Sequence, residues 1–247
     1  MQSSSMNEEI LSTNAINIKD SEQKEKKKKK KKDISYSQEI LRKTIHLLSL
    51  NIPIVYIFVS DKLALSILIP MALIAVILDL LSRKGVPWAE KLIYGYFGSM
   101  LRKHETKKRK KIILNGASWV LISAVLTVLL FPKVIAIVSF IILIISDIAA
   151  ALIGRKWGRT KLGKKSLEGT LAFIVSGIIV VVIIGIIFNG NYIYYIAGIL
   201  GAVVGGIAEL NAKTLKIDDN LGIPLGVGIV MLAFAKLWSD SFLFMMQ

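Results

Sequence analysis

The chain contains no cysteine, which excludes disulfides, thiol catalysis and cysteine-based metal sites. Histidine is nearly as scarce, with His46 and His104 alone, too few to build a zinc site on imidazole. Acids are outnumbered, 17 Asp and Glu against 32 Lys and Arg, and five prolines leave room for long helices. An early apolar segment is missing as well. The chain opens Met-Gln-Ser-Ser-Ser and continues acidic and polar, so no secretory signal is expected and insertion has to rest on internal spans.

What abounds is apolar length. The 247 residues are 54% hydrophobic with mean hydropathy +0.61, too apolar for a soluble domain and suited to a multi-pass membrane protein. The expected fold is an all-α polytopic helical bundle of about seven transmembrane helices with a cytoplasmic amphipathic segment. The net charge of +15 describes surfaces and not the fold.

Residues 1–33 are polar and include an unbroken lysine run from Lys26 to Lys32. Such a block cannot bury itself, so a disordered tail lying on anionic lipid headgroups is expected, with no nucleic-acid partner required. Residues 34–247 form the expected membrane domain. Its apolar runs fall at 47–59, 63–81, 112–131, 134–153, 171–188, 192–210 and 221–238. Between the second and third runs, residues 82–111 mix Trp88, Tyr94, Tyr96 and Phe97 with many lysines and arginines, the composition of an interfacial helix. Seven spans put alternate intervals on alternate sides. The tail and the intervals 82–111, 155–165 and 211–220 share one side and hold nearly all Lys and Arg, while the other side offers little beyond Lys62 and Lys133. The basic side is cytoplasmic by the positive-inside rule, which places the C-terminus opposite.

Residues 146–170 concentrate the chemistry. Asp147 lies within hydrophobic sequence, where an acid is costly and by default a functional hypothesis. After it come Gly154, Gly158 and Gly163, interleaved with Arg155, Lys156, Arg159, Lys161, Lys164 and Lys165, a turn-forming cationic loop suited to a polyphosphate. Ser166 is positioned to cap the following helix, turning unpaired N–H groups toward that loop. Asp147 and Glu168 stand at its two edges, placed to hold a divalent ion such as Mg²⁺ against phosphate oxygens. Cytoplasmic anchoring accounts for the charge and helix packing for the glycines, but neither accounts for Asp147, Glu168 and the Lys-Ser-x-Glu-Gly-Thr run together.

Other polar groups fall on the same side. Glu39, Arg42, Lys43 and His46 recur at spacings of three and four, so one helical face carries them into the first span. Interfacial snorkelling and a phosphate contact account for Arg42 and Lys43 equally well. Asp79 and Glu209 sit near span ends, and Asp218, Asp219 and Asn220 precede the last span, as helix cap or as oxygen ligands to a metal.

Two motifs are specific. Asp147-x-x-Ala150-x-x-x-Gly154-Arg155-x-x-Gly158 and Lys164-Lys165-Ser166-x-Glu168-Gly169-Thr170 resemble the signature of the polyprenol, phytol and diacylglycerol kinase family, which includes dolichol kinase and CTP-dependent diacylglycerol kinase. Arg42-Lys43-x-x-His46 and Asp218-Asp219-Asn220-Leu221-x-Ile223-Pro224 resemble its flanking motifs. The resemblance covers the chain from Glu39 onward. It implies phosphoryl transfer, typically from CTP with Mg²⁺, to the hydroxyl of a membrane lipid, either an isoprenoid alcohol (dolichol or polyprenol, phytol, geranylgeraniol) or diacylglycerol. On that resemblance Arg42, Lys43, Gly154, Arg155, Gly158, Lys161, Lys164, Lys165, Ser166, Gly169 and Thr170 contact the nucleotide phosphates. Asp147, Glu168, Asp218 and Asp219 hold the metal, and Asp147 or His46 takes the hydroxyl proton. The plasma membrane of a prokaryote or the endoplasmic reticulum of a eukaryote is the implied location. The related CTP:phosphatidate cytidylyltransferases are the alternative, but their C-terminal signature containing histidine is absent here. A non-enzymatic lipid transporter or binding protein is the remaining alternative.

Overall fold

A computed structural model describes residues 36–97, 114–163, 165–215 and 217–238. The Lys26–Lys32 run, residues 98–111 of the basic interval, the first two residues of the third apolar run and Lys164 lie outside the described residues. The described chain is helical apart from one small hairpin, in the order α1 (Tyr36–Leu48), α2 (Asn51–Phe58), α3 (Asp61–Arg83), α4 (Pro87–Phe97), α5 (Gly116–Leu130), α6 (Lys133–Lys156), β1 (Lys161–Leu162), β2 (Lys165–Ser166), α7 (Leu167–Ile187), α8 (Tyr192–Leu215) and α9 (Asp219–Leu237).

Six of these stretches are long and apolar enough to cross a membrane, with α1 and α2 together supplying the first, Ile40–Phe58. The helix is interrupted at Ser49 and Leu50, just before Pro53, which has no N–H to offer the preceding turn. The expected third span is shorter than the others. α5 has 15 residues, roughly 22 Å at 1.5 Å per residue, against a hydrocarbon core of about 30 Å.

Helix ends follow from local chemistry. Ser60 caps α3 by accepting from Leu63 N, Asn115 caps α5 by accepting from Ser118 N, and proline stands first in α4, where its missing N–H costs nothing. α6 is the hub: 72% of its apolar window is buried inside the protein, against 22% for α3. It packs on α1, α2, α5, α7, α8 and α9. Its Ile135, Val138, Ile142 and Leu143 are fully enclosed. By contrast Val175, Ile179, Ile183 and Ile186 of α7 are exposed at helical spacing, the stripe expected of a lipid-facing surface.

Polar ties hold the bundle at both ends. At one, Asp79 Oδ2 accepts from Asn115 N at 2.7 Å and Oδ1 from Arg83 Nε at 3.2 Å, fastening α3 to the start of α5. Asp79 is therefore a structural acid. At the other, Lys133 Nζ donates to Val59 O at 2.8 Å and sits 5.3 Å over the Tyr56 ring, whose hydroxyl donates to Asp61 at 2.8 Å.

The crossing of α6 and α7 depends on glycine. A Cβ on Gly169 would lie 2.9 Å from Ala150 O and 3.2 Å from Gly154 Cα, and one on Gly158 would lie 2.1 Å from Gly154 O and 2.5 Å from Ser166 Oγ. These glycines, expected as a phosphate cradle, are needed where two backbones meet. Gly158→Ala should therefore lower stability by about 1–3 kcal/mol, the usual cost of overpacking. Gly95→Ala, with nothing within 4 Å of the new methyl, should gain roughly 0.5–1 kcal/mol. Thermal unfolding in detergent checks the pair.

Candidate active site

One face of α1 brings Arg42, Lys43 and His46 against α6. Lys43 is 3% exposed, and its ammonium donates to Asp147 Oδ2, itself buried. His46 Nε2 lies 3.8 Å from the same oxygen, buried and without a hydrogen-bond partner among the described residues. An isolated acid in α6 would be very costly to bury, and a lysine from a helix 104 residues away offsets that cost.

The basic loop is more ordered than its composition suggests. After α6 ends, the chain forms the β1–β2 hairpin, pairing Lys161 with Ser166 and Leu162 with Lys165. Gly163 makes the turn at φ +61°, a conformation that favours glycine. Lys161 and Leu162 face outward, whereas Lys165 reaches back into the bundle, where its ammonium pairs with Glu209 Oε1 and lies 3.9 Å from Asp219 Oδ2. Asp147 is also within electrostatic reach of Lys165 and Arg42, and Glu209 of Asp147 and Asp219. The two ion pairs therefore form one ionic centre drawn from α1, α6, β2, α8 and α9.

Several expected site groups also make internal contacts. Ser166 Oγ accepts from Gly169 N at 3.2 Å, the anticipated cap, and Thr170 Oγ1 donates to Ser166 O at 3.2 Å. Asp218 caps α9, accepting from Asn220 N at 3.1 Å and Asn220 Nδ2 at 2.7 Å. Glu168 Oε1 accepts from Thr160 N at 2.9 Å while Leu167 N donates to Thr160 O at 3.0 Å, so Glu168 pins the hairpin to the start of α7. Arg155, in the last turn of α6, and Lys161, in β1, are exposed.

The metal expectation is altered by these contacts. Asp147 is engaged by Lys43 and Glu168 by Thr160, and no group of three or more His, Asp or Glu is placed to hold a metal ion among the described residues. That donor set does not make a cage. Mg²⁺ is commonly held by one or two carboxylates and completed by substrate phosphates; here Asp219 Oδ2 lies 3.9 Å from Lys165 Nζ, and Glu168 Oε2 has no hydrogen-bond partner among the described residues.

Sequence reasoning placed Glu209 with the candidate groups on the basic side but gave it no chemical task. It is 3% exposed, and its signal was an acid ending a glycine-rich span on the basic side.

The fold and this centre define a class: a polytopic membrane protein whose ionisable groups collect in a buried centre fed by a cationic hairpin. Comparison with known proteins narrows the class. An uncharacterised protein of Rickettsia prowazekii is 31% identical over 186 residues, 74% of this chain and 88% of its own length. The CTP-dependent diacylglycerol kinase 1 of Saccharomyces cerevisiae is 28% identical over 228 residues, 83% of this chain and 76% of its own. The phytol kinase of a Synechocystis species is 28% identical over 109 residues, 42% of this chain and 46% of its own. No family model and no solved structure matches. The chain belongs to the polyprenol, phytol and CTP-dependent diacylglycerol kinase family.

Lys43→Met leaves Asp147 buried without its ammonium and should destabilise the protein by about 3–5 kcal/mol. Lys43→Met with Asp147→Leu removes both charges and should recover most of that loss. Unfolding temperatures of the two variants in detergent check the pairing.

Proposed function

We propose that the protein is a membrane lipid kinase transferring the γ-phosphate of CTP to the hydroxyl of a lipid alcohol, either an isoprenoid alcohol or diacylglycerol. The observation that carries this reading is the meeting of Lys43, His46, Asp147, Lys165, Glu209 and Asp219 in one ionic centre beside an exposed basic hairpin. CTP is the donor named for the yeast relative, whose alignment spans most of this chain. Diacylglycerol therefore heads the acceptor panel, with phytol next on the cyanobacterial match.

Phosphoryl transfer requires little covalent work from the protein and much positioning and charge neutralisation. In this reading Arg155, Lys161 and Lys164 draw the triphosphate to the hairpin. Arg42 and Lys165 then meet the phosphates nearer the bundle. Mg²⁺ held by Asp147 and Asp219 would supply further neutralisation of phosphate charge. The lipid hydroxyl approaches from the bilayer between helices, and His46 takes its proton. His46 is preferred to Asp147 for this task because Asp147 Oδ2 already accepts from Lys43, whereas His46 Nε2 has no hydrogen bond among the described residues. The site faces the cytoplasm, since the lysine-rich and arginine-rich intervals lie on its side.

Purified protein given CTP labelled at the γ-phosphate, with diacylglycerol, phytol, geranylgeraniol, dolichol and phosphatidate, should place label on an alcohol. Labelled pyrophosphate released with cytidine left on phosphatidate would instead identify a CDP-lipid synthase. His46→Ala should lower kcat by about 10²–10⁴-fold with little change in the KM for CTP, and an unaltered kcat would remove His46 from the reaction.

A further inference from the structure

Glu209 is unusual among the acids of this protein. It ends a membrane-spanning run of α8 that contains Gly198, Gly201, Gly205 and Gly206, where an acid is costly. Its partner is on none of its neighbouring helices but on β2, 44 residues earlier in the chain. The side chain of Lys165 is 27% exposed and that of Glu209 4%. The lysine therefore bridges a boundary, its side chain partly exposed and its ammonium set against a buried carboxylate.

The hairpin does not need this pair to hold its shape. Glu168 on Thr160 N, Leu167 N on Thr160 O and the Ser166 cap already fix it to α7. Nor does neutralisation require Glu209, because Asp219 lies 3.9 Å from the same nitrogen and a single carboxylate balances one ammonium. What the second carboxylate adds is direction, since a lysine stem is flexible and its rotamer freedom must be removed for the charge to sit in one place. A triphosphate arriving at this centre is then met by an ammonium held in one place.

We propose that Glu209 is a positioning residue of the transfer centre, holding the Lys165 ammonium where it meets the nucleotide phosphates. The assignment rests on the lipid kinase reading for the identity of its ligand. It acts through Lys165 and does not touch the lipid.

The test measures equilibrium binding of a non-hydrolysable CTP analogue, and KM for CTP and for the lipid, in wild type, Glu209→Gln, Lys165→Met and the double variant. Glu209→Gln should weaken analogue binding and raise the CTP KM about tenfold, the loss of one well-placed charge-assisted contact, while the lipid KM stays unchanged. The double variant should match Lys165→Met, because two residues acting as one unit do not add. Unchanged analogue affinity in Glu209→Gln overturns the proposal. Should Glu209→Gln not fold, the double variant, which leaves neither charge unpaired, decides in the same way: wild-type affinity in it overturns the assignment. Analogue binding that depends on Glu209 in a protein that phosphorylates no lipid would sink the kinase reading and leave the role of Glu209 standing.

Discussion

The contact between Lys43 and Asp147 is the constraint around which the rest is arranged. An acid in the middle of the most enclosed helix of the bundle is tolerable only with a cation against it, and that cation has to come from another element. α1 supplies it, so the helix that enters the bundle first is drawn onto the hub and brings Arg42 and His46 along. The pairing thus does two things at once: it sets the position of α1 on α6 and it collects reactive groups at one place.

The second ion pair repeats this logic from the other side of the bundle. Lys165 draws the hairpin inward onto α8 and α9 as Lys43 draws α1 onto α6. Glycine makes the geometry possible, because a Cβ on Gly169 of α7 would lie 2.9 Å from Ala150 O of α6, and one on Gly158, in the loop after α6, 2.1 Å from Gly154 O. Without that approach the loop leaving α6 would not bring Lys165 level with Glu209. Packing and the site's layout are therefore coupled: residues that read as a ligand cradle also shape the turn that carries Lys165.

Much of this was legible in the sequence because membranes impose strong rules. Apolar runs located the helices, alternation of basic intervals gathered Arg42, Lys43, His46, Asp147 and Asp219 on one side, and the Ser166 cap followed from its place ahead of an apolar run. What the pattern could not carry was pairing across long separations. Nothing in the spacing distinguishes Asp147 facing Lys43 from Asp147 facing Glu168, and nothing ties Glu209 to a lysine 44 residues away. The glycines were ambiguous for a different reason, since a backbone that must approach a phosphate and one that must approach another helix need the same residue.

The ionic centre lies toward one end of helices whose outer faces are apolar stripes, such as Val175, Ile179, Ile183 and Ile186 on α7. In the proposed reaction, an alcohol dissolved in the bilayer would present its oxygen at the level of the glycerol backbones, whatever hydrocarbon hangs below. Selection by such a catalyst would be vertical: it would gauge how deep the hydroxyl rides and leave chain length and branching unread. Substrates as unlike in their tails as a diglyceride and a branched terpenoid would then be equivalent at the point of attack, and one scaffold could serve either with little redesign of its interior.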